Sequence, residues 1–321
     1  MERIKCIFCN IENDQVFIEE KGYIGRKCSN CNLIFISPRP AFAEILNIYG
    51  HDDAFVSAED HITNDFIKRL YARHNLSIIK KYKKSGTLLE IGAGAGYFLD
   101  EAKKLGFDAY GIELNPIQAD FITKTLKIPC ETKPLDSSFF HEKRFDIIYH
   151  CDVLSHFYDP IAEFQKINDK LADGGLCVFE TGNFSDVEDI YLTKIESFHY
   201  PTHLFFFGEN NLKQLLTLTG FKLVKMYNYS LLAEFFIDKA VRKLFHLIKL
   251  ITGKTNLDSH YVHPAKILPT HKAGSFSLRR LRWHLYKYLI YLGRYQIGSI
   301  IPKPGRPQTL IVVAQKQTQS K

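Results

Sequence analysis

The chain has 321 residues, 45% of them hydrophobic and 24% charged, with a formal net charge of +7. That balance is ordinary for a globular protein with one large core and small appendages; it argues against a disordered chain, and with no uncharged apolar run of 18 residues no transmembrane helix is expected. The opening MERIKCIFCN places charges before its first apolar residues and has no long apolar stretch, so the expectation is a cytoplasmic protein whose seven cysteines stay reduced unless they bind metal.

Residues 1–40 hold Cys6, Cys9, Cys28 and Cys31 among short β-type runs (QVFIEE, YIGRKC, NLIFIS) that end at Pro38-Arg39-Pro40. Cys6-x2-Cys9 and Cys28-x2-Cys31 are two knuckles separated by 18 residues, close to the spacing that surrounds a tetrahedral Zn2+ with four thiolates. Disulfides are the competing reading, and a reducing compartment disfavours them. Four sulfurs leave no open coordination position, so the metal is expected to be structural and its chelation to unfold this zinc ribbon. Cys130, Cys151 and Cys177 sit in or beside strand-like runs and read as small core residues.

Residues 41–85 form a helical connector, in which Phe66, Ile67, Leu70, Leu76 and Ile79 recur at roughly helical spacing. A βα alternation then starts at Gly86: TLLEIG, DAYGIEL, KIPCET, FDIIYHC, LCVFETG and FKLVKMY read as strands, with helical runs such as GYFLDEAKKLG, PIQADFITKTL, PIAEFQKINDKLADGG and NLKQLLTLTG among them. The pattern implies an α/β fold with a doubly wound, Rossmann-like, mostly parallel sheet that binds ligands at the carboxyl ends of its strands. The core is expected over 86–228, with its last strand, TLIVVAQK, within 307–317.

Between them, residues 229–306 carry 14 Lys and Arg against 3 Asp and Glu, a local +11. Ile237, Val241, Leu244, Phe245 and Ile248 share one helical face, opposite Lys239, Arg242, Lys243, His246 and Lys249. Leu278, Leu281, Leu285, Tyr288, Leu289 and Leu292 repeat the pattern, so two basic amphipathic helices interrupt the sheet before its last strand. Three readings stand side by side: helices that pad the sheet, a peripheral contact with an anionic membrane, and RNA binding.

The turn after the first core strand is Gly92-x-Gly94-x-Gly96 followed by Tyr97, which departs from the G-x-G-x-x-G of a dinucleotide cradle. An acid, Glu90, precedes it, and a second, Glu113, ends the next strand, where a carboxylate can accept both hydroxyls of a ribose. Those acids with that glycine triplet resemble the class I S-adenosylmethionine-dependent methyltransferases. FDIIYHCDVLSHFYDP resembles that superfamily's fourth strand and following turn, with Asp146, Val153, Leu154, His156, Asp159 and Pro160 matching and Ser155 in place of the usual Glu. The resemblance implies S-adenosyl-L-methionine as cofactor. It also implies that Glu90, Gly92, Gly94, Gly96 and Tyr97 lie along its amino-acid half, Glu113 and Leu114 at the ribose, and Pro134, Leu135, His150 and Cys151 around the adenine.

The stretch FHYPTHLFFF, with the zinc ribbon, resembles the sugar C-methyltransferase and methyltransferase type 23 group, whose Tyr-x-Glu-His motif supplies a base. Here Tyr200 and His203 are kept and Thr202 stands where Glu is usual. The resemblance implies methyl transfer to a sugar or small hydroxyl-bearing acceptor in surface-glycan or secondary-metabolite assembly, with His203 as general base and Tyr200 beside it. Two alternatives stay open: an RNA methyltransferase, and a scaffold that keeps the fold without the reaction.

Overall fold

The computed structural model describes residues 1–12, 15–45, 58, 61–136, 140, 142–192, 197–252, 278–301 and 305–317. Its core is a seven-stranded sheet in the order β10-β11-β8-β7-β4-β5-β6. The strands are β4 (Gly86–Ile91), β5 (Phe107–Ile112), β6 (Cys130–Glu131), β7 (Phe145–Cys151), β8 (Leu171–Gly182), β10 (Phe221–Ser230) and β11 (Gln308–Lys316). β4 to β8 run parallel, and β11 lies antiparallel to both β8 and β10. All seven core strands read from the sequence are present, in the doubly wound arrangement expected of them.

Helices α1 (Asp65–Tyr82), α2 (Tyr97–Lys104), α3 (Pro116–Lys124), α4 (Pro160–Lys170), the short α5 (Asp189–Leu192) and α6 (Glu209–Leu218) connect and flank these strands. Two starts are written locally: the Asn115 side chain accepts from the amides of Ile117 and Gln118, and Asp159 accepts from Ala162, each with a proline at the first helical position. The helix expected to run on to Gly175 instead ends at Lys170, because Leu171 turns inward and pairs with Phe145. Asp146, matched in the sequence motif, is structural. It accepts from Lys83 Nζ at 2.7 Å and from the Thr87 amide at 2.9 Å, tying β7 to the start of β4.

Both faces of the sheet are covered, which is why its central strands are nearly continuous apolar runs. On one face Leu89, Ile148, Phe179 and Val312 pack with α4, α6 and the N-terminal ribbon. On the other, Leu88, Ile147, Val178 and Ile311 pack with α1, α2 and Tyr295. The ribbon contributes β1 (Val16–Glu20), β2 (Tyr23–Lys27) and β3 (Ile34–Ile36) to a separate four-stranded sheet whose fourth member, β9 (Phe205–Phe206), comes from the core sequence.

The basic region contains α7 (Leu232–Thr252) and α8 (Leu278–Tyr291), followed by a π-helical segment at Leu292–Ile297. The expected helices are there, but the apolar stripe of α8 is not all turned inward: Leu281 and Leu285 are 50% and 57% exposed. Phe245, Ile248, Lys249 and Leu278 of the expected faces have side chains outside the described residues. No helix among the described residues is long and apolar enough to cross a membrane.

Candidate cofactor and acceptor site

A cavity of about 710 Å³ opens at the carboxyl ends of β4, β7 and β8, where the sheet order reverses around β4. One end is built by the glycine turn. Gly92, Gly94 and Gly96 have φ of +70°, +55° and +73°, a left-handed conformation that costs glycine little. A Cβ on Gly92 would sit 2.5 Å from Val153 Cγ2, and one on Gly96 2.5 Å from Ile122 Cγ1. The third glycine thus serves the close approach of α2 to α3 and itself stands outside the cavity wall.

Glu90 lies in the cavity wall with only 4% of its surface exposed, and its Oε2 meets no hydrogen-bond partner among the described residues. Burial, and then the nearby charge of Glu113, push its pKa well above the ordinary carboxylate range. A cation placed against that oxygen would reverse the penalty, so this end of the cavity suits a positively charged ligand group. Glu113 is half-buried and stands outside the cavity wall, behind the glycine turn, and burial raises its pKa. Its oxygens accept from the Gly94 amide at 2.7 Å and the Asn115 amide at 2.8 Å.

Tyr97 lines the cavity, and its hydroxyl donates to the Ile62 carbonyl, joining α2 to the segment before α1. Cys151 lines it as well, its thiol pKa raised well up by burial. His150, one residue earlier, points the other way along the strand. It is fully buried, stacks on Phe179 with ring centroids 5.0 Å apart, and burial lowers its pKa to about 3. Leu114, Pro134 and Leu135 also lie outside the cavity wall, Leu114 and Pro134 exposed and Leu135 buried.

The opposite end is formed by the segment around β9 and the turn after β7. His156, His199 and His203 all line it, together with Phe184, Phe205 and Phe206. The rings of His156 and His203 are 4.4 Å apart, those of His199 and His203 5.3 Å. His156 Nδ1 donates to the Thr202 carbonyl at 3.0 Å, which leaves its Nε2 as an acceptor in the neutral ring. Burial first, and then His156 and His199, lower the pKa of His203 to about 3, so its imidazole is neutral near pH 7. Tyr200 is 1% exposed and stands outside the wall, its ring packed over Gly25 of the ribbon.

Between the two ends lies a buried polar network that sequence reasoning did not find. Glu180, at the end of β8, accepts from Asn75 Nδ2 at 2.6 Å and from the Tyr295 hydroxyl at 2.9 Å, and Asn75 also donates to Tyr149. Arg294 reaches the same cavity while held by Glu234 through two bonds of 2.6 and 3.0 Å. These residues come from a connector helix, two strands and the basic region; the one local signal was an acid closing a strand, as at Glu90 and Glu113. Asp152, in the wall with φ +55°, is another such acid.

In the ribbon, Cys6, Cys9, Cys28 and Cys31 bring four sulfurs within 4.8 Å of one another, with Cys6 and Cys31 3.5 Å apart. Four sulfurs about 2.3 Å from one ion would be about 3.8 Å from each other, so the spacing suits tetrahedral zinc. Both knuckles close alike. Asn10 and Asn32, in left-handed conformation, donate their amides to the Cys6 and Cys28 carbonyls at 2.9 Å each.

Residues 61–226, just over half of the chain, match a family model described as a methyltransferase domain. Among curated proteins, the chain is 29% identical over 134 residues to a tRNA U34 carboxymethyltransferase of Helicobacter hepaticus, which covers 37% of this chain and 42% of that protein. A second, from Sulfurimonas denitrificans, is 29% identical over 131 residues, covering 38% and 44%. The chain thus spans less than half the length of these curated relatives. Among solved structures, a chain from the Haloferax volcanii complex of the Trm112 methyltransferase activator with a methyltransferase superposes with TM-score 0.52 at 13% identity, covering 86% of this chain and 99% of that one. A Haemonchus contortus N-methyltransferase solved with phosphomonomethylethanolamine and S-adenosylhomocysteine gives TM-score 0.50 at 15% identity, covering 89% and 63%. The strand order, the glycine turn between two acids and the family match lead to one statement: this chain belongs to the methyltransferase domain family, with the fold of the class I S-adenosylmethionine-dependent methyltransferases.

Proposed function

We propose that the chain transfers a methyl group from S-adenosyl-L-methionine to a hydroxyl of a sugar or related small acceptor, in surface-glycan or secondary-metabolite assembly. The observation that carries this reading is the convergence of His156, His199 and His203 with aromatic rings at the end of the cavity opposite the glycine turn. The imidazoles of His156 and His203, whose pKa values burial lowers, offer hydrogen-bond acceptors to a hydroxyl, and ring faces offer apolar surface to the carbon skeleton that bears it.

The residues at the other end fit the cofactor: an orphaned carboxylate oxygen on Glu90 for its cationic amino group, and the half-buried carboxylate of Glu113, tied to the Gly94 amide of the glycine turn, for a ribose diol. Bound there, the cofactor supplies an electrophilic methyl on a sulfonium and leaves as a neutral thioether. The work of the chain is alignment and proton removal. His203 takes the proton of the acceptor hydroxyl on its free ring nitrogen. Burial weakens it as a base before the reaction. The site loses one positive charge as His203 gains one, so the total is unchanged across the step and the transfer is favoured when concerted.

Zn2+ on the four cysteines is the structural metal of this reading, and a peripheral contact of residues 229–306 with the inner face of an anionic membrane is its cellular setting. Exposed Phe235, Phe236, Leu281 and Leu285 among lysines and arginines support that contact. A second reading, methyl transfer to RNA, is supported by the names of the curated relatives together with the basic region.

Purified protein incubated with methyl-labelled S-adenosylmethionine and an extract of the source cells separates these. Label in a lipid-linked glycan, a nucleotide sugar or a small metabolite is the expected result, abolished in His203→Ala while cofactor binding persists. Label in RNA would replace the acceptor assignment. Cofactor binding without label in any fraction would leave a scaffold.

A further inference from the structure

The acceptor end of the cavity is held from outside the core. Glu20, the last residue of β1 in the ribbon, accepts from the Ser197 hydroxyl at 2.6 Å and from the Phe198 amide at 2.7 Å. Ser197 Oγ in turn accepts from the His199 amide at 3.0 Å. The His199 carbonyl accepts from the amides of Thr202 and His203 at 3.0 and 3.2 Å, and from Thr202 Oγ1 at 2.8 Å. A continuous chain of hydrogen bonds thus runs from the ribbon hairpin to His199 and His203, two of the three histidines of the cavity wall. His199 has φ +58°, a conformation uncommon for a residue with a Cβ, and these bonds hold it there.

Three further contacts fix the same segment to the ribbon. Tyr200 packs over Gly25, where an added Cβ would collide with its hydroxyl and lie 3.1 Å from its ring carbon Cζ. β3 pairs with β9, and the Ile36 amide donates to the Leu204 carbonyl at 3.1 Å. Asn211 donates to the carbonyl of Cys31, one of the four cysteines, at 2.9 Å. The Leu204 amide completes the frame by donating to the Ser155 carbonyl at 2.7 Å. Burial works against the charge on Glu20, yet its hydrogen bonds from Ser197 and Phe198 outweigh it and lower its pKa.

We propose that Glu20 is a positioning residue for methyl transfer, holding the His199–His203 turn in the geometry that receives the acceptor, and that the ribbon acts on the reaction through this carboxylate. The proposal rests on the reading that this turn faces the acceptor. Two charge-assisted hydrogen bonds are lost when the carboxylate is removed, and Gln can keep one of them.

Amide hydrogen exchange on the full-length, zinc-loaded protein tests it without knowledge of the acceptor. In Glu20→Ala, the peptide covering 198–204 is expected to exchange at least tenfold faster, with ribbon peptides, zinc content and S-adenosylhomocysteine affinity unchanged, and Glu20→Gln is expected to fall between. The initial rate of methyl transfer into whichever extract fraction the wild type labels is expected to drop at least tenfold in Glu20→Ala and to recover in part in Glu20→Gln. Should Glu20→Ala lose its zinc, Ser197→Ala removes the partner on the core side and must give the same local acceleration. Unchanged exchange at 198–204 in these variants overturns the proposal, as does faster exchange with wild-type transfer rates. A wild type that labels no fraction would count against the acceptor reading, while the exchange result would still decide whether Glu20 holds the turn.

Discussion

The ribbon and the basic helices are both additions to the same core, and they are attached in opposite ways. Ile34, Phe35 and Ile36 of the ribbon are fully buried in a cluster shared with α4, α6 and β9. The basic helices touch the core through α1 and, at their C-terminal end, through Tyr295, which bonds to Glu180 and stacks on His74 at 3.9 Å. Much of the remaining surface of α7 and α8 stays open, with Phe236 70% exposed. The difference teaches that one addition is packed into the core behind the His199–His203 turn without entering the cavity wall, whereas the other reaches that wall through Arg294 and leaves a face of its helices open.

The largest way to break the contrast is to remove the metal. Chelation is expected to unfold residues 1–40 and loosen 197–207 while leaving β4 to β8 intact, since structural zinc contributes on the order of 10 kcal/mol to small sites of this kind. Exchange protection mapped with and without a chelator checks it; an unaltered ribbon would refute a structural metal. Glu180→Ala should cost about 2–4 kcal/mol, because it strands buried donors on Asn75 and Tyr295. Denaturant melts should show that loss with zinc content unchanged, separating the anchor of the basic helices from that of the ribbon. Glu113→Ala belongs to neither addition and should weaken cofactor affinity by roughly one to two orders of magnitude by calorimetry. Smallest of all, Phe236→Ser should shift stability by less than about 0.5 kcal/mol. It should nevertheless reduce sedimentation with vesicles of anionic lipid; full retention on them would remove the membrane contact from the proposed function.

At the glycine-turn end of the cavity the residues of one local stretch, Glu90, Gly92, Gly94 and Tyr97, meet in the wall, whereas Gly96, Glu113, Leu114, Pro134, Leu135 and His150 stand outside it. The paired cysteine knuckles were legible because their information is local in the same way. The acceptor end was less so. Tyr200 and His203 are three residues apart in one quoted stretch, yet the fold turns His203 to the cavity and Tyr200 to Gly25. Glu20, Asn75, Glu180 and Arg294 meet or flank that cavity from distant segments, and spacing along a chain holds no trace of such meetings. The apolar stripe of α8 shows the matching limit for surfaces, since periodicity finds a face without saying what it faces.

β11 has a consequence for the order in which the protein is made. It fills the gap between β8 and β10, and its residues 310–314 are entirely buried. While the ribosome is still adding the basic region, β8 and β10 each present an unpaired, apolar edge. Residues 229–306 must emerge and be set aside before that slot can close, so the nascent chain is expected to need protection from aggregation during this interval more than at any earlier point of synthesis.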